Sequence, residues 1–326
     1  MLRYILFFVQ FLMLSYDYAQ DPHFTQAFSA PTLVNPSYTG VFDNSKYRFS
    51  SIHRQQWTGL GVPFITSFVG FDAKLFDKNL YYQNPFNIGF NFLSDRTLKG
   101  ALKNNNGSLN LSYHVPLTKE GKHTIGLGLG ITYGSQHFDF SALSTSSQFT
   151  SGGFDLTLPN FENIIGNVRP YFLINPGILY TYNNREDGTF FDFGFAVYNS
   201  NQPYISLLFN EFNRIPRRMS AQATFQKYMN DNFLINAELQ YQSQSQVDYL
   251  LTGFSIAKLL SEEFDPSMIG IGLWYRTSDI VAPYLYAEIN KMKFSLTYDF
   301  QVNDIGKNLY PATTLEFSLG WRFGNK

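Results

Sequence analysis

Over most of its length the chain alternates, residue by residue, between apolar or aromatic positions and small or polar ones. Leu315, Phe317, Leu319, Trp321 and Phe323 fall on one face of the final segment, and Glu316, Ser318, Gly320 and Arg322 on the other. The same grammar sets Ile125, Leu127, Leu129, Ile131 and Tyr133 against Gly126, Gly128, Gly130 and Thr132. It sets Phe233, Ile235, Ala237, Leu239 and Tyr241 against Leu234, Asn236, Glu238 and Gln240, and Gln242, Gln244 and Gln246 continue the polar row. A period of two is that of a β-strand, whose successive side chains point to opposite faces. It predicts strands near 46 to 57, 64 to 76, 86 to 94, 107 to 115, 122 to 134, 169 to 182, 189 to 199, 203 to 209, 217 to 229, 233 to 243, 247 to 258, 268 to 278, 281 to 290, 292 to 302 and 312 to 323. These make about 15 segments, one more than the even number of a closed bacterial outer-membrane barrel, and 203 to 209 and the 281 to 302 hairpin alternate least clearly.

A soluble β-sandwich also alternates, but its polar face lies outside and is rich in Lys and Glu. Here the second face is mostly Gly, Ser, Asn and Gln, in runs of about 10 residues, as in a barrel with a wet interior. The expected fold is therefore all-β, a transmembrane antiparallel β-barrel. Arg48, Arg54, Arg276, Arg322, Glu238, Glu288, Glu316 and Asp299 fall inside predicted strands. A lipid-facing Arg at mid-depth costs roughly 2 to 4 kcal/mol, so these side chains are expected in the lumen. There they serve as structural pairs or as a charge network that holds a plug or partner segment. With the N-terminus in the periplasm, the longest connections, 95 to 106, 135 to 168 and 259 to 267, are all expected on the extracellular side. The second contains SALSTSSQFTSGGFD and reads as an exposed loop, either a partner contact or simply solvated.

Composition supports a membrane location. Aromatic residues are 18% of the chain and charged residues 15%, too little charge to coat a soluble globule of this length. Residues 1 to 19 read as a secretory signal peptide, with Arg3, an apolar run from Ile5 to Leu14 and a cut at Ala19/Gln20. A lead-in from 20 to 45 and a barrel from 46 to 326 follow. The leader's apolar run is about 10 residues, short of the roughly 20 a membrane helix needs. The absence of cysteine excludes disulfides, thiolate metal sites and acylation at an N-terminal Cys. A formal net charge of -1, without any Lys/Arg block, gives no reason to expect a nucleic-acid partner.

Chemistry is sparse. Histidines at 23, 53, 114, 123 and 137 lack the paired spacing with acids that builds a metal site. There is no G-x-S-x-G elbow, and the glycines of GLGLGITYG recur at every second residue, which suits small lumen-facing positions rather than a phosphate-binding turn. No catalytic residue, metal or cofactor is assigned, and the chain is read as non-enzymatic.

Behind the leader stand Asp21, Pro22, His23, Phe24, Thr25 and Gln26, then a turn of Asn35, Pro36, Ser37, Tyr38, Thr39 and Gly40. Pro36 removes a backbone donor, Asn35 and Ser37 form side-chain turns, and Gly40 can take positive φ. The strand YRFSSIHRQQW follows, with Arg48, Arg54, Gln55, Gln56 and Trp57. Further on come Gly270, Gly272, Tyr275, Arg276 and Asp279, then Tyr298 and Asp299, then LEFSLGWRF. In this order, from 21 to 323, these pieces resemble the PorP/SprF family, outer-membrane proteins of the type IX secretion system of the Bacteroidota. The resemblance implies a barrel of about 14 strands. It implies a role in receiving or anchoring a secreted surface protein, such as a gliding adhesin, through that protein's C-terminal domain. Other secretion components and a periplasmic, peptidoglycan-binding OmpA-like protein are the further partners it implies, with the lipid bilayer around the barrel. The alternatives are a porin or substrate channel, since the inner faces suit a wet lumen, and an outer-membrane enzyme, which would need Ser, His and acid side chains converging at the rim. The lead-in is expected to fold against or into the barrel, or to dock in the periplasm.

Overall fold

The computed structural model describes residues 21–58, 62–75, 86–139, 146–155, 157–159, 168–205, 213–229, 232–261, 266–277, 280–302 and 313–324. The proposed leader and Asp279 lie outside them. The strands are β1 (Tyr47–Gln56), β2 (Phe64–Lys74), β3 (Phe86–Thr97), β4 (Leu102–Pro116), β5 (His123–Phe138), β6 (Tyr171–Asn184) and β7 (Thr189–Tyr198). The second half adds β8 (Arg218–Met229), β9 (Phe233–Gln244), β10 (Val247–Leu259), β11 (Met268–Arg276), β12 (Ile280–Ile289), β13 (Met292–Gln301) and β14 (Thr314–Phe323). Each pairs antiparallel with its sequence neighbours, and β1 pairs with β14 to close a 14-stranded barrel. Closure leaves no strand edge unpaired, the condition for a sheet to exist in hydrocarbon.

The alternation has its predicted sense. On β14, Phe317 and Trp321 are exposed while Thr314, Glu316 and Ser318 are buried. Exposed aromatic and aliphatic side chains cover the outer wall, and buried Asn, Gln, Ser, Thr and charged side chains line the inner one. All the strand charges expected in the lumen lie on inward positions, and Arg48, Arg54, Arg276, Asp299 and Glu316 are buried.

Two expectations are corrected. Segment 203 to 209 is not a barrel strand: Tyr204–Ile205 pairs with Asn213–Arg214 as a separate small hairpin in the β7–β8 connection. Its residues alternate because a two-residue ladder has the same local geometry as a long one. Removing that strand reverses the parity of everything after it. The 259 to 267 connection therefore lies at the end that carries the start of β1 and the close of β14, not with the large loops. We call this the terminus end and the other the loop end. The 95 to 106 connection shrinks to a turn at the loop end, because β3 runs on to Thr97 and β4 starts at Leu102, with Leu98 and Gly100 at positive φ.

Candidate functional site: a segment threaded through the lumen

Residues 21 to 45 run through the barrel. Asp21 stands at the loop end, its N–H donating to Gln244 Oε1 (3.0 Å) and its carboxylate 3.3 Å from Arg218 Nε. Pro22, His23 and Phe24 lie among Arg218, Gln240 and Tyr249, with the His23 ring stacked on Tyr249 at 4.4 Å. Phe24 packs with Ala30, Ile52 and Phe68 in a small apolar cluster.

The next contacts are charge-assisted. Both carboxylate oxygens of buried Glu316 accept backbone N–H bonds, from Thr25 (2.8 Å) and Gln26 (2.9 Å), and Thr25 Oγ1 donates to Asp299 (3.0 Å). The Gln26 amide donates to Glu316 O (2.9 Å) and Thr297 Oγ1 (3.2 Å). Arg54 balances these acids, with Nε 3.5 Å from Glu316, and Arg276 Nη2 lies 3.2 Å from Asp299. Burying so many charges is tolerable only because they are paired and hydrogen-bonded together.

Midway down, the Asn35-to-Gly40 turn seats on β5, β6 and β7. Asn35 Nδ2 donates to the carbonyls of Ile178 (3.0 Å) and Phe195 (3.3 Å), while its Oδ1 accepts from Ser37 N (2.9 Å). Backbone approaches this close because the wall is glycine there. A Cβ on Gly128 would stand 2.3 Å from Ser37 N and 2.6 Å from the Pro36 carbonyl carbon, and one on Gly177 would stand 2.1 Å from Asn35 Oδ1. Below this, Tyr38 donates its hydroxyl to Asp192 (2.5 Å). Gly40, at φ 76, donates its N–H to Asp72 Oδ2 (2.7 Å). Arg48 grips Asp72 through two donors, each at 2.9 Å, and also donates to the carbonyls of Tyr38 (2.9 Å) and Val41 (3.0 Å). Asp43, paired with Arg185 (2.8 Å), marks the exit at the terminus end. Beside the segment, a cavity of about 1060 Å³ is lined by Phe42, Tyr228, Glu238, Trp274, Lys293 and Arg322, among others.

The structure thus brings together Asp21, Pro22, His23, Phe24, Gln26, Asn35, Pro36, Ser37, Tyr38, Gly40, Arg48, Arg54 and Arg276. Three others stand apart. Tyr275 is 40% exposed on the outer wall, Trp57 is exposed at the loop end against Phe64, and half-buried Gln56 continues β1 towards that rim. The sequence reading overlooked Asp72, Asp192, Gly177, Gly194 and Tyr249. Asp72 and Asp192 could have been found by the lumen-charge rule, since both stand at inward positions of alternating strands. Among the described residues no group of three or more His, Asp or Glu is placed to hold a metal ion.

The family model described as "Type IX secretion system membrane protein PorP/SprF" matches residues 17–321. The chain belongs to the PorP/SprF family. It is an outer-membrane β-barrel of the type IX secretion system. No curated protein matches it. Similar solved structures include the CymD monoaromatic hydrocarbon channel, with 9% identity, 91% of this chain and 93% of that one covered, and a TM-score of 0.49. The translocator domain of autotransporter NalP from Neisseria meningitidis has 12% identity, 92% and 96% coverage, and a TM-score of 0.42. CdiB from Acinetobacter baumannii has 8% identity and a TM-score of 0.44, with 85% of this chain covered, and the chain spans 60% of that protein's length. PorP/SprF membership rests on the family match, and the barrel on its own strand pairing.

Proposed function

We propose that this PorP/SprF barrel is a non-enzymatic anchor that receives or holds a secreted surface protein through that protein's C-terminal domain. The observation that supports it is the lumen itself: residues 21 to 45 cross its height and are bound by buried charges at the loop end and by Arg48 and Asp72 towards the other. A barrel filled in this way offers a rigid wall and two ends rather than a passage. In bacterial outer-membrane barrels the longer loops face outward, so the loop end, with the 139–170 and 199–217 connections, is the surface offered to a secreted partner. The terminus end faces the periplasm, where a peptidoglycan-binding protein or other secretion components would meet it. No chemical step is involved.

Affinity purification from native membranes tests this reading. Recovery of a large secreted surface protein, in amounts that fall when the 139–170 connection is shortened, is the expected result. Recovery of the barrel alone, together with large stable conductance in planar bilayers, would favour a porin and overturn it.

A further inference from the structure

Ser51, His53 and Gln55 alternate with Ile52 and Arg54 on β1, so while the latter point into the lumen the former point at lipid. They are joined on that outer face by Ser67 of β2: His53 Nδ1 lies 2.9 Å from Ser67 Oγ, and His53 Nε2 lies 3.2 Å from Gln55 Nε2. His53 is the seventh residue of β1 counted from the terminus end. At about 3.4 Å per residue and a tilt of about 40°, that places it roughly 15 Å from the rim, in an apolar band about 25 Å tall. At the same distance from the rim, outward residues of other strands include Phe92, Leu129, Ile178, Phe195, Leu239 and Phe317, all exposed and apolar. The hydrogen-bonded row at His53 therefore lies at the mid-depth of the bilayer. Head groups cannot reach it there, and hydrocarbon gives its remaining donors and acceptors no partner.

We propose that this face of β1 and β2 is a membrane-embedded interface, and that its occupant is a second copy of this chain. The row holds no Asp, Glu, Lys or Arg, and Ser, His and Gln side chains can each both donate and accept, so it is complementary to itself. A second copy in the same membrane presents the row at the same depth, as a two-fold axis along the membrane normal requires. Exposed Phe317 borders the polar centre on the β14 side and exposed Val69 and Phe71 border it towards the terminus end, while on the β3 side the row continues through Ser94, the cross-strand neighbour of Ser67. This inference is independent of what the ends of the barrel bind.

Because the chain has no cysteine, single-cysteine variants report contacts without background. In native outer membranes, Gln55→Cys should form a disulfide-linked dimer on mild oxidation, while Tyr241→Cys, at the same height on a distant strand, should stay monomeric. Adding Ser67→Ala and His53→Leu to Gln55→Cys should lower the dimer yield at least tenfold while the barrel still shifts in heat-modifiability gels as a folded species. Equal cross-linking of the two single variants, no dimer from Gln55→Cys, or a product only with a different protein would each overturn the proposal.

Discussion

Replacing Gly128 by Val should unseat the lumenal segment while sparing the wall that carries it. Valine is a good strand residue, and the position faces the lumen, so β5 itself loses nothing. The first added atom would stand 2.3 Å from Ser37 N, where ordinary contact begins near 3.4 Å, and its neighbours are backbone that cannot rotate away. Overpacking of this kind costs about 1 to 3 kcal/mol. Relieving it by a shift of the Asn35 turn stretches the two bonds from Asn35 Nδ2 to the Ile178 and Phe195 carbonyls, at about 1 kcal/mol each. The seating free energy should fall by about 3 to 5 kcal/mol, which lowers the seated-to-released ratio roughly 100- to 4000-fold. The assay is conductance in planar bilayers, read beside protease sensitivity of residues 21 to 45. Gly128→Val should show channel openings and a clipped N-terminal segment. Gly107→Val is the control, since a Cβ there meets nothing within 4 Å. A folded Gly128→Val barrel with wild-type conductance and protection, or equal opening by Gly107→Val, would refute the idea that the glycines exist to seat the turn.

Other consequences can be checked by similar means. Glu316→Leu leaves Arg54 short of its nearer acid and the N–H groups of Thr25 and Gln26 without acceptors. That should cost about 3 to 5 kcal/mol, seen as unfolding at lower denaturant and early proteolysis near residue 26. Tyr38→Phe removes the donor to Asp192 and should cost about 1 to 3 kcal/mol by the same unfolding assay, with no change in the shape of the barrel's far-ultraviolet spectrum.

The wall was legible because one rule, a period of two with a cost for charge in lipid, acts on each strand alone. β1, β5, β9 and β14 could be outlined from it within a few residues. The rule cannot say which alternating segments join the barrel, so Tyr204–Ile205 was counted, and the count set the end assigned to the 259 to 267 connection. The site was half legible. Arg48 and Arg54 were placed in the lumen for a sound reason, yet their partners lie far away in sequence: Arg54 meets Glu316, and Thr25 meets Asp299. Gly128 and its neighbours were assigned to the correct face, but the need for glycine comes from Pro36 and Ser37, and no local pattern in β5 records a segment that lies against it. Tyr275 is the converse case, a motif residue that faces lipid while its neighbour Arg276 enters the lumen.

Where the lumenal segment binds also bears on how the barrel closes. Arg54 belongs to the first strand, Glu316 to the last and Asp299 to the one before it, so Arg54 meets the two acids only when β14 pairs with β1. Thr25 and Gln26 bind acids that neighbour one another on β13 and β14, at the opposite end of the chain, and closure adds the arginine that balances them. Lower down, Asp72 of β2 is already beside Arg48 of β1 before closure, and Gly40 can bind it in the hairpin. The segment is therefore tethered first at its terminus end, by contacts local in sequence, and completed at its loop end by contacts with strands nearly the whole chain away, balanced by Arg54 once the seam forms. Loop-closure entropy favours that order, because the β1–β2 contacts span tens of residues and the seam spans nearly the whole chain. Seating and closure then stabilise one another, which is why charges that would be a liability in an empty lumen are concentrated at the seam.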